Sequence, residues 1–115
     1  MLIELICRRT WTTCRKAVAL LKENKIDYRY REYTKEPLDI KEIKELLKKL
    51  DVKPKEIFIK NGKMNRKLGL SGEEPDAVLI RAIAQHPTLL KRPIGVSGDK
   101  AVLARPIEKL LELAD

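Results

Sequence analysis

The chain has 115 residues and carries 25 Lys and Arg against 17 Asp and Glu, a net charge of +8. That length suits a single domain spanning residues 1–115 with a core of its own. Two cysteines are too few for a disulfide framework. A balance this basic favours anionic partners, whether a small oxyanion, an acidic protein face or nucleic acid. No leader-like start and no apolar run of about 18 residues is present, which argues against a membrane span and for a cytoplasmic protein.

Leu2 to Cys7 is a short apolar run that reads as a strand buried on both faces. Thr12 or Thr13 offers a hydroxyl to cap the helix that follows, whose apolar stripe is Ala17, Val18, Leu20 and Leu21. Asn24-Lys25 is its expected stop. Tyr28 to Tyr33 alternates Tyr28 and Tyr30 with Arg29 and Arg31, the pattern of a second strand. A right-handed crossover makes the two strands parallel.

Asp39 and Glu42 form the two ends of a capping box, and Ile40, Ile43, Leu47 and Leu50 place a helix behind it. The basic stretch from Val52 to Leu70, broken by Pro54 and Gly62, is expected to hold only short helical turns. After Ser71-Gly72 another helix carries Leu79, Ile83 and Ala84 inward, with Pro75 near its first turn and Pro87 at its end. An extended piece at Ile94 to Val96, a turn at Ser97-Gly98-Asp99 and a strand at Ala101 to Leu103 make a hairpin. Pro106 then opens a last amphipathic helix with Ile107, Leu110 and Leu111. The order is βαβ, a helical insertion, then ββα: an α/β chain with the thioredoxin plan.

Four strings sharpen this reading. T-C-R-K-A runs from Thr13 to Ala17, K-L-G-L from Lys67 to Leu70, Q-H-P-x-L-L-x-R-P-I from Gln85 to Ile94, and A-R-P from Ala104 to Pro106. In this order and spacing the chain resembles the ArsC/Spx family of glutaredoxin-related proteins. The resemblance implies a thioredoxin-like fold of the ArsC type with a helical insertion. It implies one of two activities: arsenate reduction with glutathione and glutaredoxin as electron donors, or an Spx-like regulatory role through the alpha subunit of RNA polymerase. A redox-inert family member is the third reading.

The enzymes of the family carry their reacting cysteine three positions before the residue matched by Cys14, at the mouth of a helix that stabilises a thiolate and receives an oxyanion. Here the string is W-T-T-C, and that position holds Trp11. An indole can neither attack arsenic nor form a disulfide. Cys14, matching the second cysteine of C-x-x-C members, is then the candidate catalytic thiol, with Arg8, Arg9 and Arg15 near it in sequence; the alternative is a small residue packed under the loop. Cys7 ends the first strand, where the family places no regular cysteine. It could pair with Cys14 if their Cα atoms come within about 7 Å, or simply fill the core.

By the same resemblance, Arg92 and Arg105 match two arginines that hold the oxyanion, a task suited to a charged planar fork. The third such arginine falls at Ile59 or Asn61, with Lys60 beside it as a substitute point charge. Pro93 falls where thioredoxin-like folds carry a cis proline facing the active loop. The only histidine, His86, is expected to pack or cap at a helix end, and one His with two Cys offers no usual zinc site. The basic segment from Lys53 to Lys67 contains Phe58 as its only aromatic, which argues against direct nucleic-acid binding. No resident cofactor is implied.

Overall fold

In the computed structural model, residues 2–114 are described, and they form two compact units. One unit is built from the residues up to Glu36 and those from Arg92 onward; the other runs from Pro37 to Lys91.

The first unit holds a four-stranded sheet. Strands β1 (Leu2–Cys7), β2 (Asp27–Glu32), β3 (Ile94–Ser97) and β4 (Lys100–Leu103) lie in the order β2-β1-β3-β4. β1 and β2 are parallel, pairing Ile3 with Tyr28, Leu5 with Tyr30 and Cys7 with Glu32. β3 pairs antiparallel with β1 and with β4. The crossover between β1 and β2 is helix α1 (Thr12–Glu23). Alternation along β1 turns Ile3, Leu5 and Cys7 to one face. There they meet Cys14, Ala17 and Leu21 of α1 and Leu110 and Leu113 of the closing segment. Ile6 alone of the opposite face is fully buried, while Leu2 is exposed, so burial on both faces is reached only at the strand's end.

Two details differ from the sequence reading. Thr12 and Thr13 lie inside the first turn of α1, and Trp11 takes the N-cap position in extended conformation, with no side-chain cap. The chain leaves β1 through a turn closed by Trp11 N–H donating to the Arg8 carbonyl, which brings the helix in one residue early. The closing segment Ile107–Ala114 is a 3-10 helix, so its inward residues recur every third position. Leu113, not Leu111, therefore joins Leu110 in the core. The turn of the β3–β4 hairpin is Gly98-Asp99, with Gly98 at φ 59.

The second unit is helical. It contains α2 (Ile40–Leu50), α3 (Lys63–Leu68) and α4 (Asp76–Gln85), with single 3-10 turns at Pro54–Glu56 and Pro87–Leu89. The Asp39 carboxylate accepts the Glu42 N–H at 2.8 Å, and the Glu42 carboxylate accepts the Asp39 N–H at 3.2 Å, completing the capping box. α2 packs on α4, and Ile43, Leu46, Leu47, Leu79 and Ile83 are buried. The stretch from 52 to 70 holds one 3-10 turn and the two-turn α3, as its prolines and glycines foretell. Its loop is organised by the buried Asn65, whose amide donates to the Ile59 carbonyl and whose oxygen accepts the Gly62 N–H. Among the described residues no helix is long and apolar enough to cross a membrane.

Candidate functional site

The junction between β1 and α1 carries the chemistry. Cys7 is the last residue of β1 and Cys14 the third of α1, and the eight-residue span between and including them doubles back on itself. Their Cα atoms stand 5.8 Å apart and the two sulfurs are bonded as a disulfide. That separation lies inside the range a disulfide bridges without backbone movement. Cys7 is 0% and Cys14 1% exposed, so the two sequence alternatives for Cys7, core residue and disulfide partner, are both realised. The Arg8 backbone N–H donates to Cys14 Sγ at 3.2 Å. Together with its place in the first turn of α1, this donor favours negative charge on that sulfur when the bond is reduced.

Trp11 sits at the crest of the loop spanned by the disulfide and is 39% exposed. Its ring lies under the Arg92 guanidinium, 3.5 Å from ring centroid to guanidinium carbon. The same guanidinium stands 5.6 Å over the ring of Tyr33, the residue that follows β2. Such contacts let a cation lose water and still be held by the negative face of a ring. Arg92 is indeed 4% exposed. Burial, and then the positive charges of Arg105 and Arg8, lower its pKa, while Tyr33 raises it. An arginine nevertheless stays protonated at any physiological pH.

Arg105, at the far end of the hairpin, is exposed and donates from Nε to the Arg92 carbonyl at 3.0 Å. Between them the Pro93 carbonyl accepts the Ala104 N–H at 2.8 Å. The Arg92–Pro93 bond is cis, and so is Arg105–Pro106, which the sequence marked only as a helix boundary. Trp11, Cys14, Arg92, Pro93 and Arg105 thus belong to one unit, with Trp11 against Arg92 and Arg92 tied to Arg105. Lys60 belongs to the helical unit, where its ammonium lies 3.2 Å from Glu73 Oε1 and forms a half-exposed ion pair. His86 caps the end of α4 through its backbone N–H to the Ala82 carbonyl.

Two participants escaped the sequence reading. Tyr33, which the alternation of the sequence includes in the second strand, lies just past it, fully buried, with a hydroxyl that has no hydrogen-bond partner among the described residues. Burial raises its pKa, and the Arg92 and Arg8 charges partly offset this. Tyr30, three residues earlier and on the α1 side, also has a buried hydroxyl without a partner among the described residues, and burial foremost pushes its pKa up to about 12. The alternation of Tyr28 and Tyr30 signalled the facing but not the depth of burial. Among the described residues no group of His, Cys, Asp and Glu is placed to hold a metal ion.

A sheet of order β2-β1-β3-β4, one parallel crossover and a cysteine at the entry to α1 define a thioredoxin-like α/β protein. The ArsC family model matches residues 10–113, and the chain belongs to the ArsC family. It is 35% identical over 98 residues to an arsenate reductase of Neisseria meningitidis serogroup A, covering 84% of each chain. It is 38% identical over 94 residues to the global transcriptional regulator Spx of Bacillus subtilis, covering 81% of this chain and 72% of that one. Among solved structures, an arsenate reductase from Vibrio cholerae superposes with a TM-score of 0.91 at 26% identity, over 98% of both chains.

Proposed function

We propose that this ArsC-family chain is a cytoplasmic thiol–disulfide redox protein whose working couple is Cys7 and Cys14, and that it does not attack arsenate from position 11. The observation that carries this reading is the Cys7–Cys14 bond at the mouth of α1, with the Arg8 N–H on Cys14 Sγ. In the reduced chain, the Cys14 thiolate attacks one sulfur of a substrate disulfide RSSR. One RS⁻ leaves with the electron pair of the broken bond, and a mixed disulfide forms on Cys14. The Cys7 thiol gives up its proton and attacks Cys14 Sγ, expelling the second RS⁻. The dithiol is oxidised to the Cys7–Cys14 disulfide and RSSR is reduced to two thiols. Run in reverse, two glutathione molecules or a glutaredoxin dithiol regenerate the reduced chain.

The role of Arg92 and Arg105 follows from their exposure. Arg105 is open to solvent, and Arg92 lies against the indole, so an oxyanion meets Arg105 first and reaches Arg92 only when Trp11 withdraws. The two arginines serve an anionic substrate group under this reading, with Lys60 left to Glu73.

The test is exchange with oxidised glutathione, followed by mass spectrometry of the intact protein. Wild-type reduced chain passes to the internal disulfide without accumulating an adduct. Cys7→Ser stalls with one glutathione on Cys14, and Cys14→Ser gives no adduct at the wild-type rate. A Cys14→Ser chain that still exchanges as fast as wild type would end the proposal. The identity shared with Spx supports a second reading, a transcriptional regulator. It predicts capture of the RNA polymerase alpha subunit by the immobilised chain, and failure to capture it counts against that reading.

A further inference from the structure

On the α1 side of the sheet, β1 is covered by the helix while its neighbour β2 is only partly covered. β2 is an edge strand, and of the three residues it turns to this side, Tyr28, Tyr30 and Glu32, the two tyrosines pack on the core from its margin. A groove of about 560 Å³ runs between them and α1. Its floor is apolar, formed by Val18 and the two tyrosine rings, and its rim is basic, formed by Arg9, Arg15 and Lys22. No carboxylate is among the described residues that line it, and the nearest along this face of β2, Glu32, accepts the Arg9 backbone N–H at 3.0 Å. The Arg9 guanidinium sits 5.1 Å over the Tyr30 ring, and Arg15 makes only a 3.4 Å hydrogen bond to Thr12 Oγ1, so both charges face solvent. The Tyr30 hydroxyl is buried at this place with no hydrogen-bond partner among the described residues.

We propose that this groove binds an acidic peptide segment of a partner protein, seating an apolar side chain on the floor and carboxylates on the three rim cations. The spacing fits a peptide. Arg15 and Lys22 are seven residues apart on one helix, a rise of about 10 Å. Two carboxylates flanking one apolar residue stand about 7 Å apart along an extended chain, and the long Glu, Arg and Lys side chains cover the remaining distance to both cations. A free inorganic anion would leave the floor empty. A single-stranded nucleic acid binds by stacking bases on open aromatic faces, whereas Tyr28 and Tyr30 are partly buried with one ring already under Arg9. The proposal is independent of the exchange reaction, although Cys14 lies in the groove wall and an occupant would rest beside the disulfide.

Fluorescence anisotropy tests it, using a fluorescein-labelled twelve-residue peptide of Glu alternating with Leu and Phe. The same peptide with Lys for Glu, and a labelled twelve-nucleotide oligothymidine, are the other two probes. Two double variants carry the same change in net charge: Arg15→Glu with Lys22→Glu on the rim, and Lys41→Glu with Lys44→Glu on α2 of the other unit. Circular dichroism of each variant shows that it folds. The acidic peptide is expected to bind saturably to wild type, about tenfold more weakly to the rim variant, and within about twofold of wild type to the α2 variant. Equal weakening by both variants, equal or tighter binding of the Lys peptide or the oligothymidine, or no saturable binding at all would overturn the proposal.

Discussion

Trp11 packs against a buried arginine at the mouth of α1. Its ring is held 3.5 Å from a guanidinium that is 4% exposed, a contact that in a desolvated setting contributes about 1–2 kcal/mol. Trp11→Ala is therefore expected to lower unfolding free energy by about that amount in urea titration, and to leave the disulfide intact. Under the proposed reading, Trp11→Cys puts a thiol at the position that the sequence resemblance gives to the family's reacting cysteine. Arsenate-dependent oxidation of added glutathione is expected for Trp11→Cys and not for wild type; equal rates for both would contradict the role assigned to the indole. Tyr30 gives a pH signature of its own. Burial raises its folded pKa to about 12, above the ordinary tyrosine value of about 10. The native state thus keeps a proton the unfolded chain has released, and stability present below pH 10 is lost as pH rises from about 10 to 12. Ultraviolet titration of phenolate formation, run beside urea unfolding at each pH, should show both changes together. Both tyrosines and the tryptophan were visible as residue types in the sequence. Their partners were not, because Arg92 is 81 positions from Trp11 and 59 from Tyr33, and no local pattern reports a contact across that separation.

At the scale of elements, the strongest local signals translated directly. The Asp39 and Glu42 capping box appears with both of its hydrogen bonds, and Asp39→Ala is expected to cost about 1 kcal/mol in thermal or urea unfolding. The hairpin turn, the parallel crossover and the short turns of the basic stretch also followed from glycine, proline and alternation. Two elements shifted, each for a physical reason. The chain enters α1 through a tight turn at Arg8 to Trp11, which draws both threonines into the helix and leaves them no capping role. The closing segment winds as a 3-10 helix and so selects Ile107, Leu110 and Leu113 at every third position, where α-helical spacing had selected Leu111. That segment lies close on β3. A Cβ at Gly95 would come within 2.5 Å of Leu110 Cδ2 and 3.0 Å of Leu113 Cδ1. Gly95→Ala should accordingly destabilise by about 1–3 kcal/mol through overpacking. Unchanged thermal stability of Gly95→Ala would show that the closing helix is free to move off the sheet.

Across the molecule, the insertion and the sheet unit divide the work. The helical unit carries its own core and its own Lys60–Glu73 pair, while the disulfide, the stacked arginine and the basic groove all belong to the sheet unit. The order of elements and the family were legible from four strings spread along the chain. The pairing of Cys7 with Cys14 was not, because it depends on how tightly the loop after β1 turns, and six intervening residues admit both outcomes. This short closed loop also bears on stability: reduction should lower unfolding free energy by about 2 kcal/mol, mainly by releasing the unfolded chain. Under the proposed reading, these two sulfurs form one redox couple. Equilibration in glutathione redox buffers, quenching with an alkylating reagent and counting of adducts by mass tests this. A single transition is expected, in which two alkyl groups are gained together as the buffer becomes reducing. Alkylation of Cys14 alone under oxidising conditions, or no alkylation of either cysteine until the chain is denatured, would contradict it.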